Sequence, residues 1–166
     1  VEERARPAGP DDLEVVARLV EACAAELRPE RGGALWADRE SRALPPGPGL
    51  AADLADPAVR IVVGELDDLV VGTAVVRCEQ LRTGARLAVV TDLYVEPDFR
   101  ELGVGEAMLD EVVAWAEAQG CIGIDAVALP GMRETKNFFE SFGLVARAIV
   151  VHRRLGPAEE GSGGVG

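Results

Sequence analysis

Residues Leu87 to Gln119 read LAVVTDLYV, then EPDFRELGVG, then EAMLDEVVAWAEAQ, and the fold turns on this stretch. Arg86 to Val95 is rich in apolar and β-branched side chains, as a strand is. Pro97 has no N–H to give a ladder and ends the strand after Glu96. Further on, Val104, Met108, Val112 and Trp115, with Leu109 and Ala116 beside them, recur at helical steps and predict a helix from Gly103 to Gln119. Gly120 suits its C-terminal stop. The junction is Arg100-Glu101-Leu102-Gly103-Val104-Gly105, with Glu106 opening the helix. A helix N-terminus presents unpaired N–H groups and partial positive charge. Glycine there lets an anion reach the backbone, and Arg100 can add a charge-assisted hydrogen bond. The stretch can therefore hold a pyrophosphate. Two glycines alone would equally serve a tight turn without a ligand.

The wider frame is more specific. Leu93 to Gly105 has the pattern L-Y-V-x-P-x-F-R-x-x-G-x-G, which resembles the acetyl-CoA-binding motif of the GCN5-related N-acetyltransferases (GNAT). The resemblance implies that the strand end Leu93, Tyr94 and Val95 contacts pantetheine. It further implies that Arg100, Glu101, Leu102, Gly103, Val104, Gly105 and Glu106 surround the pyrophosphate. Glu101 departs from the basic or small residue common in that family.

The rest of the chain follows in the same order as that family. Glu2 to Arg6 reads as a short strand, and Asp11 or Asp12 as a cap for an amphipathic helix from Asp12 to Leu27. Pro29 to Pro48 reads as loop with one or two helical turns around Trp36, which either staples the loop to the core or lines a pocket. Val59 to Leu66, a turn at Asp67-Asp68, and Leu69 to Glu79 make a hairpin, with Gly72 marking a bulge or close packing. Cys121 to Leu129, a nearly continuous apolar run after a helix, is expected as a buried parallel strand. Arg133 to Ser141 is expected as a helix, and Leu144 to Leu155 as one long strand or two. The resemblance implies a mixed, mostly antiparallel α/β sheet flanked by helices, with the parallel fourth and fifth strands splayed around the pantetheine arm. Residues 1–155 form one domain in this reading, and the Gly-rich stretch from Gly156 a flexible tail.

A second segment, Arg133 to Leu144, resembles the family's late A-x-x-[FL]-Y-E-x-x-G-F signature through Phe138, Phe139, Glu140, Gly143 and Leu144. Thr135 stands at the usual alanine and Met132 at the usual asparagine. Phe139 stands where the family has a tyrosine that protonates the departing thiolate, and phenylalanine has no such proton. Phe138 and Phe142 read as core packing. Phe139 joins the cofactor-binding set by register, and the acid must come from water or another group, Tyr94 being nearest by sequence.

An amine attacking a thioester needs a base, an oxyanion donor and an acid. Asp92 is the best-placed carboxylate for the base, Glu79 a weaker one, and a backbone N–H between Leu93 and Val95 is the expected donor. Asp92 is equally readable as an arginine's partner. The resemblance thus implies an acetyl-CoA-dependent N-acetyltransferase with a small-molecule or peptide amine acceptor. A non-catalytic acyl-CoA-binding module and a non-amine acceptor stay open, as does a homodimer.

Composition narrows the alternatives. Seventeen basic residues against twenty-nine acidic ones give a net charge of −12, which argues against nucleic acid and anionic membranes as partners. No apolar run approaches a membrane span, and the N-terminus shows no secretory h-region. Cys23, Cys78 and Cys121 read as free thiols of a cytoplasmic protein, the first two as buried. His152 is the only histidine, which excludes a multi-histidine metal site; in its apolar strand it reads as packing. G-x-S-x-G and a P-loop signature are both absent.

Overall fold

Five strands form one sheet in sequence order, and helices cover both of its faces. The structure is a computed structural model describing residues 1–157. The expected Gly-rich tail lies, for residues 158–166, outside the described residues. β1 (Glu3–Pro7), β2 (Val59–Leu66), β3 (Leu69–Gln80) and β4 (Arg86–Val95) pair antiparallel, each with the next. β5 (Cys121–Asp125) pairs parallel to β4. The helices are α1 (Leu13–Leu27), α2 (Gly33–Arg39), α3 (Gly47–Ala55), α4 (Val104–Ala118) and α5 (Arg133–Ser141). This is the expected GNAT architecture, with mixed strand directions and a parallel pair at one edge.

Strand alternation builds two cores. Val62, Val71, Ala74, Val76, Ala88 and Val90 face α4, where Met108, Leu109, Val112 and Trp115 meet them together with Phe139. Ile61, Val63 and Val75 face the other way, onto Val16 and Val20 of α1 and Leu50 of α3. The start of α4 sits hard on the hairpin: a Cβ on Gly64 would lie 2.5 Å from Val104 Cγ1. Gly72, its partner across the ladder, has Met108 Cε 3.0 Å from where a Cβ would be. The register also slips there, so Gly72 marks both a bulge and a close approach.

An ion-pair network ties β1 to β2 and to the start of α1. Glu65, nearly buried, accepts from Arg4 and Arg6, and Arg6 also holds Asp12. Asp12 is therefore not the expected helix cap; its carboxylate accepts from Arg6 and from the Gly9 N–H instead. The Arg6 guanidinium holds the Asp12 carboxyl below its usual range despite partial burial. Burial pushes Glu65 up, but Arg4 and Arg6 together outweigh it and leave it lowered. Carboxyls depressed in the folded state contribute stability above their unfolded values, near 4, and lose it as pH falls through the folded ones. Arg6→Ala should therefore move the acid-unfolding midpoint to higher pH by circular dichroism. An unchanged midpoint would deny the network that role.

Four other expectations are corrected. Residues 144–155 form no strand: Val145 onward is exposed, His152 included, because no neighbouring strand pairs with it among the described residues. The apolar run from Cys121 is a strand only to Asp125, and it lies at the sheet edge rather than buried, with Ile122 70% exposed. The loop before β2 contains α3, hidden in the sequence by its opening Gly-Pro-Gly, with proline tolerated in the first turn. All three cysteines are free, as expected, but only partly buried; Cys78 and Cys121 share a thiol hydrogen bond at 3.5 Å and form no disulfide.

Candidate active site

The parting of β4 from β5 opens the site. Their register runs through Arg86↔Cys121, Ala88↔Ile124 and Val89↔Asp125 and then stops, while β4 continues to Val95. Along that unpaired half, Val75 lies opposite Asp92 but Val76 opposite Val90, so Thr91 is an extra residue in the ladder. The bulge reverses the side-chain phase. Ala88 and Val90 face α4, and so do Leu93 and Val95 after it, which turns Asp92 and Tyr94 toward α1. The Glu96 N–H bonds to Val71 O on the β3 side. Alternation then sends the Leu93 and Val95 N–H groups to the open side that β5 has left.

These residues line a groove of about 770 Å³ running from α1 and the loop after α2, past β4, to α5. Of the site residues expected from sequence, Asp92, Leu93, Tyr94, Val95, Arg100, Glu101, Gly105, Glu106 and Phe139 line it. Leu102, Gly103 and Val104 do not: Leu102 is exposed, Val104 is buried in the core, and Gly103 serves the turn with φ +87°. Glu79 is exposed on β3 away from the groove, which removes the second base candidate. Glu101 holds a left-handed φ of 64°. Trp36 lines the groove, the second of its two readings. The first α-helical bond of α4 runs from Ala107 N–H to Gly103 O, leaving the Val104, Gly105 and Glu106 N–H groups ahead of the ladder. A Cβ on Gly105 would stand 3.3 Å from the Phe138 ring, so only a bare backbone leaves that corner open.

Arg100 does not reach into this corner. Its Nη1 and Nη2 donate to the two carboxylate oxygens of Glu26 at 2.8 and 2.6 Å, and its Nε donates to Val95 O at 2.9 Å. The guanidinium also lies 5.4 Å from the Tyr94 ring centroid. The Arg100 guanidinium draws the Glu26 carboxyl below its usual range, while the Tyr94 phenol is raised, first by burial and then by the Glu26 charge. Glu26, 74 residues from Arg100, was not singled out from sequence. Its signal is that it lies one helical turn after Cys23, on the same face of α1.

Asp92 has partners too. Its Oδ2 accepts from Arg42 Nη2 and from Thr91 Oγ1, each at 2.8 Å. Arg42 also approaches Asp53 at 2.8 Å, and Asp53 accepts from Arg77. This chain fixes the loop after α2 over β4, and it makes Asp92 a half-engaged carboxylate at the groove wall. The carboxylates of Glu26, Glu40, Asp92, Glu101, Glu106 and Glu134 outnumber the lining guanidiniums of Arg42 and Arg100, both already paired. Phe139, 7% exposed, packs against Phe138 and into the α4 core, so a hydroxyl there would need a new partner.

A split parallel pair, a bulged strand and a glycine-bearing helix start around one groove define the acyltransferase class whose sequence frame was noted above. A family model described as an acetyltransferase (GNAT) domain matches residues 57–145, more than half of the chain, and the chain belongs to that family. No curated protein matches it by sequence. Among solved structures, a variant of the BH1408 protein from Bacillus halodurans superposes with a TM-score of 0.77 at 21% identity, over 91% of this chain and 98% of that one. AAC(6')-Iy, in complex with the bisubstrate analog CoA-S-monomethyl-acetylneamine, gives 0.69 at 17%, over 95% and 100%. An aminoglycoside acetyltransferase from an uncultured soil metagenomic sample, in complex with sisomicin, gives 0.70 at 16%, over 94% and 97%. At these identities the structures speak for the fold alone. No described helix is long and apolar enough to cross a membrane.

Proposed function

We propose that this acetyltransferase-family protein uses acetyl-CoA to acetylate an amine by direct attack. The observation that carries the reading is the coincidence, in one groove, of the unpaired half of β4 with the free N-terminal N–H groups of α4. The residues suit the cofactor: α4 offers N–H donors beside Gly105 for a pyrophosphate, and Leu93 and Val95 offer N–H groups for an amide-bearing arm. Bound acetyl-CoA would supply an acyl group activated as a thioester. Asp92 is proposed to take the proton released as the C–N bond forms. Of these two N–H groups, one is proposed to hold the arm and the other to donate to the carbonyl oxygen as negative charge builds on it. Tyr94 is proposed to protonate the sulfur as the C–S bond breaks, in place of the absent phenol at Phe139.

The acidic lining favours an acceptor with positive charge beyond the reacting amine, and amine-bearing ligands are named for two of the fold neighbours. Thermal unfolding with and without acetyl-CoA, followed by thiol release over polyamines, amino sugars and peptide N-termini, tests the proposal. A ligand that binds only the folded state raises the melting temperature. A shift with thiol release is the expected result. A shift without release across the panel would leave an acyl-CoA-binding module, and no shift would remove the site.

A further inference from the structure

A second cavity, of about 380 Å³, lies at the β1 edge of the sheet and shares no lining residue with the groove. The chain makes it by turning away. β1 pairs with β2 only as far as Pro7 opposite Val62, and beyond that a single bond, Ala8 N–H to Ile61 O, holds the corner. The end of α3 and the turn into β2 supply one wall, with Leu54 and Pro57 in it. The C-terminal end of α4 supplies another, with Trp115 and Gln119.

Arg60 lines this cavity and is out of pattern in two ways. Alternation gives it the side of β2 that Val62 presents to α4, while Val59 and Ile61 pack toward α1 and α3. An apolar residue is expected there. Arg60 is also without a counterion. Four arginines are half-buried among the described residues, and three of them hold carboxylates. Arg6 holds Asp12 and Glu65, Arg42 holds Asp53 and Asp92, and Arg77 holds Asp53. Arg60 makes no ion pair and no side-chain hydrogen bond among the described residues, in a chain with twenty-nine acidic residues. Nor is it the cation that serves the end of α4, since Arg86 donates to Gln119 O there at 3.1 Å.

The rest of the lining is rich in donors. Neither the Gln119 side-chain amide nor the Trp115 indole N–H has a hydrogen-bond partner among the described residues. The one acid in the wall, Asp56, is engaged: its Oδ1 accepts from Ala58 N–H at 2.8 Å, and its Oδ2 lies 3.9 Å from Arg77. We propose that this cavity is a binding site for a small organic carboxylate. Arg60 pairs with the carboxylate, and an aromatic or short aliphatic body lies against Trp115, Leu54 and Pro57. One guanidinium fork matches one carboxylate, and the apolar walls give an inorganic anion nothing to pack against. The volume falls at the small end of ligand pockets, which run from about 300 to 1,000 Å³. The site is separate from the groove and does not depend on the chemistry proposed there.

The test titrates benzoate into the full chain carrying Trp36→Phe, which leaves Trp115 as the only tryptophan. The expected result is a saturable change in Trp115 emission, with calorimetry giving the same dissociation constant, about 1 mM or below. Benzamide, its neutral isostere, and inorganic phosphate should each bind roughly tenfold more weakly or worse. Arg60→Gln should weaken benzoate by roughly tenfold with circular dichroism unchanged, and Arg60→Lys should recover part of the loss. Ala55→Glu, at an exposed position in the same lining, should weaken it likewise without touching Arg60. Saturating acetyl-CoA should leave the benzoate isotherm where it is. Displacement by acetyl-CoA would put benzoate in the groove and overturn the proposal. The absence of a saturable response would overturn it too, as would equal binding of benzamide or of phosphate. Isotherms of Arg60→Gln and Ala55→Glu that match the parent would do the same.

Discussion

Gly105→Val should weaken acetyl-CoA binding roughly 100-fold, about 2.7 kcal/mol, while leaving the free protein folded. The figure corresponds to losing one or two charge-assisted hydrogen bonds from the N-terminus of α4. Gly105 has no positive φ, so valine is not strained in its backbone. Its Cβ would meet Phe138 at 3.3 Å, and that ring sits at the partly exposed rim, where it can give by a few tenths of an ångström. The branched methyls would then stand over the very N–H groups offered to the pyrophosphate. Gly103 is the wrong place for this test. With φ +87°, and with Glu3 3.1 Å from where its Cβ would be, a valine there would disturb the turn itself. Arg100→Ala should cost less affinity than Gly105→Val, because its guanidinium is committed to Glu26 and Val95. Calorimetry reads all of this directly, and an unchanged dissociation constant for Gly105→Val would mean the phosphates lie elsewhere.

Local signals placed most of the frame. β2 and β4 have the limits read from sequence, because valine-rich runs bounded by Asp-Asp, Gly and Pro leave little choice, and α5 has them as well, stopping just before Gly143. The stretch from Val145 shows where such reasoning fails: Ile149 to Val151 has strand propensity, but a strand exists only where an edge receives it, and propensity says nothing of that. β5 fails in the complementary way, since its apolar run signals burial that the described residues do not supply. At the site, the phase slip on β4 was not legible, because Leu87 to Val90 is apolar without a break and shows no alternation for the slip to interrupt. Asp92 and Tyr94 share a face by alternation, but which face that is depends on the bulge at Thr91. The Glu26–Arg100 pair was not legible, because nothing local joins a helix residue to a loop 74 residues later. Arg42 was equally hidden, since its loop reads as unstructured and its partners Asp53 and Asp92 come from two other elements.

Tyr94→Phe should lower kcat by roughly 100-fold, the lower range for loss of a general acid, with little change in KM for acetyl-CoA. Tyr94 is the only tyrosine in the chain, and Phe139 supplies no hydroxyl, so no other phenol can protonate the leaving sulfur. Burial and the neighbouring Glu26 charge raise the Tyr94 phenol above its ordinary value of 10. A group raised in this way keeps its proton throughout the neutral range and loses it only in strong alkali. The wild-type kcat profile should accordingly carry a falling limb above pH 10 that the phenylalanine variant lacks. The ring itself stays in the variant, and with it the stacking under Arg100 at 5.4 Å, which is why binding should hold. A rise in KM with kcat preserved would instead make Tyr94 a brace for Arg100 and Glu26. An unchanged kcat, with the alkaline limb intact, would hand the proton to water and leave Tyr94 without a catalytic part.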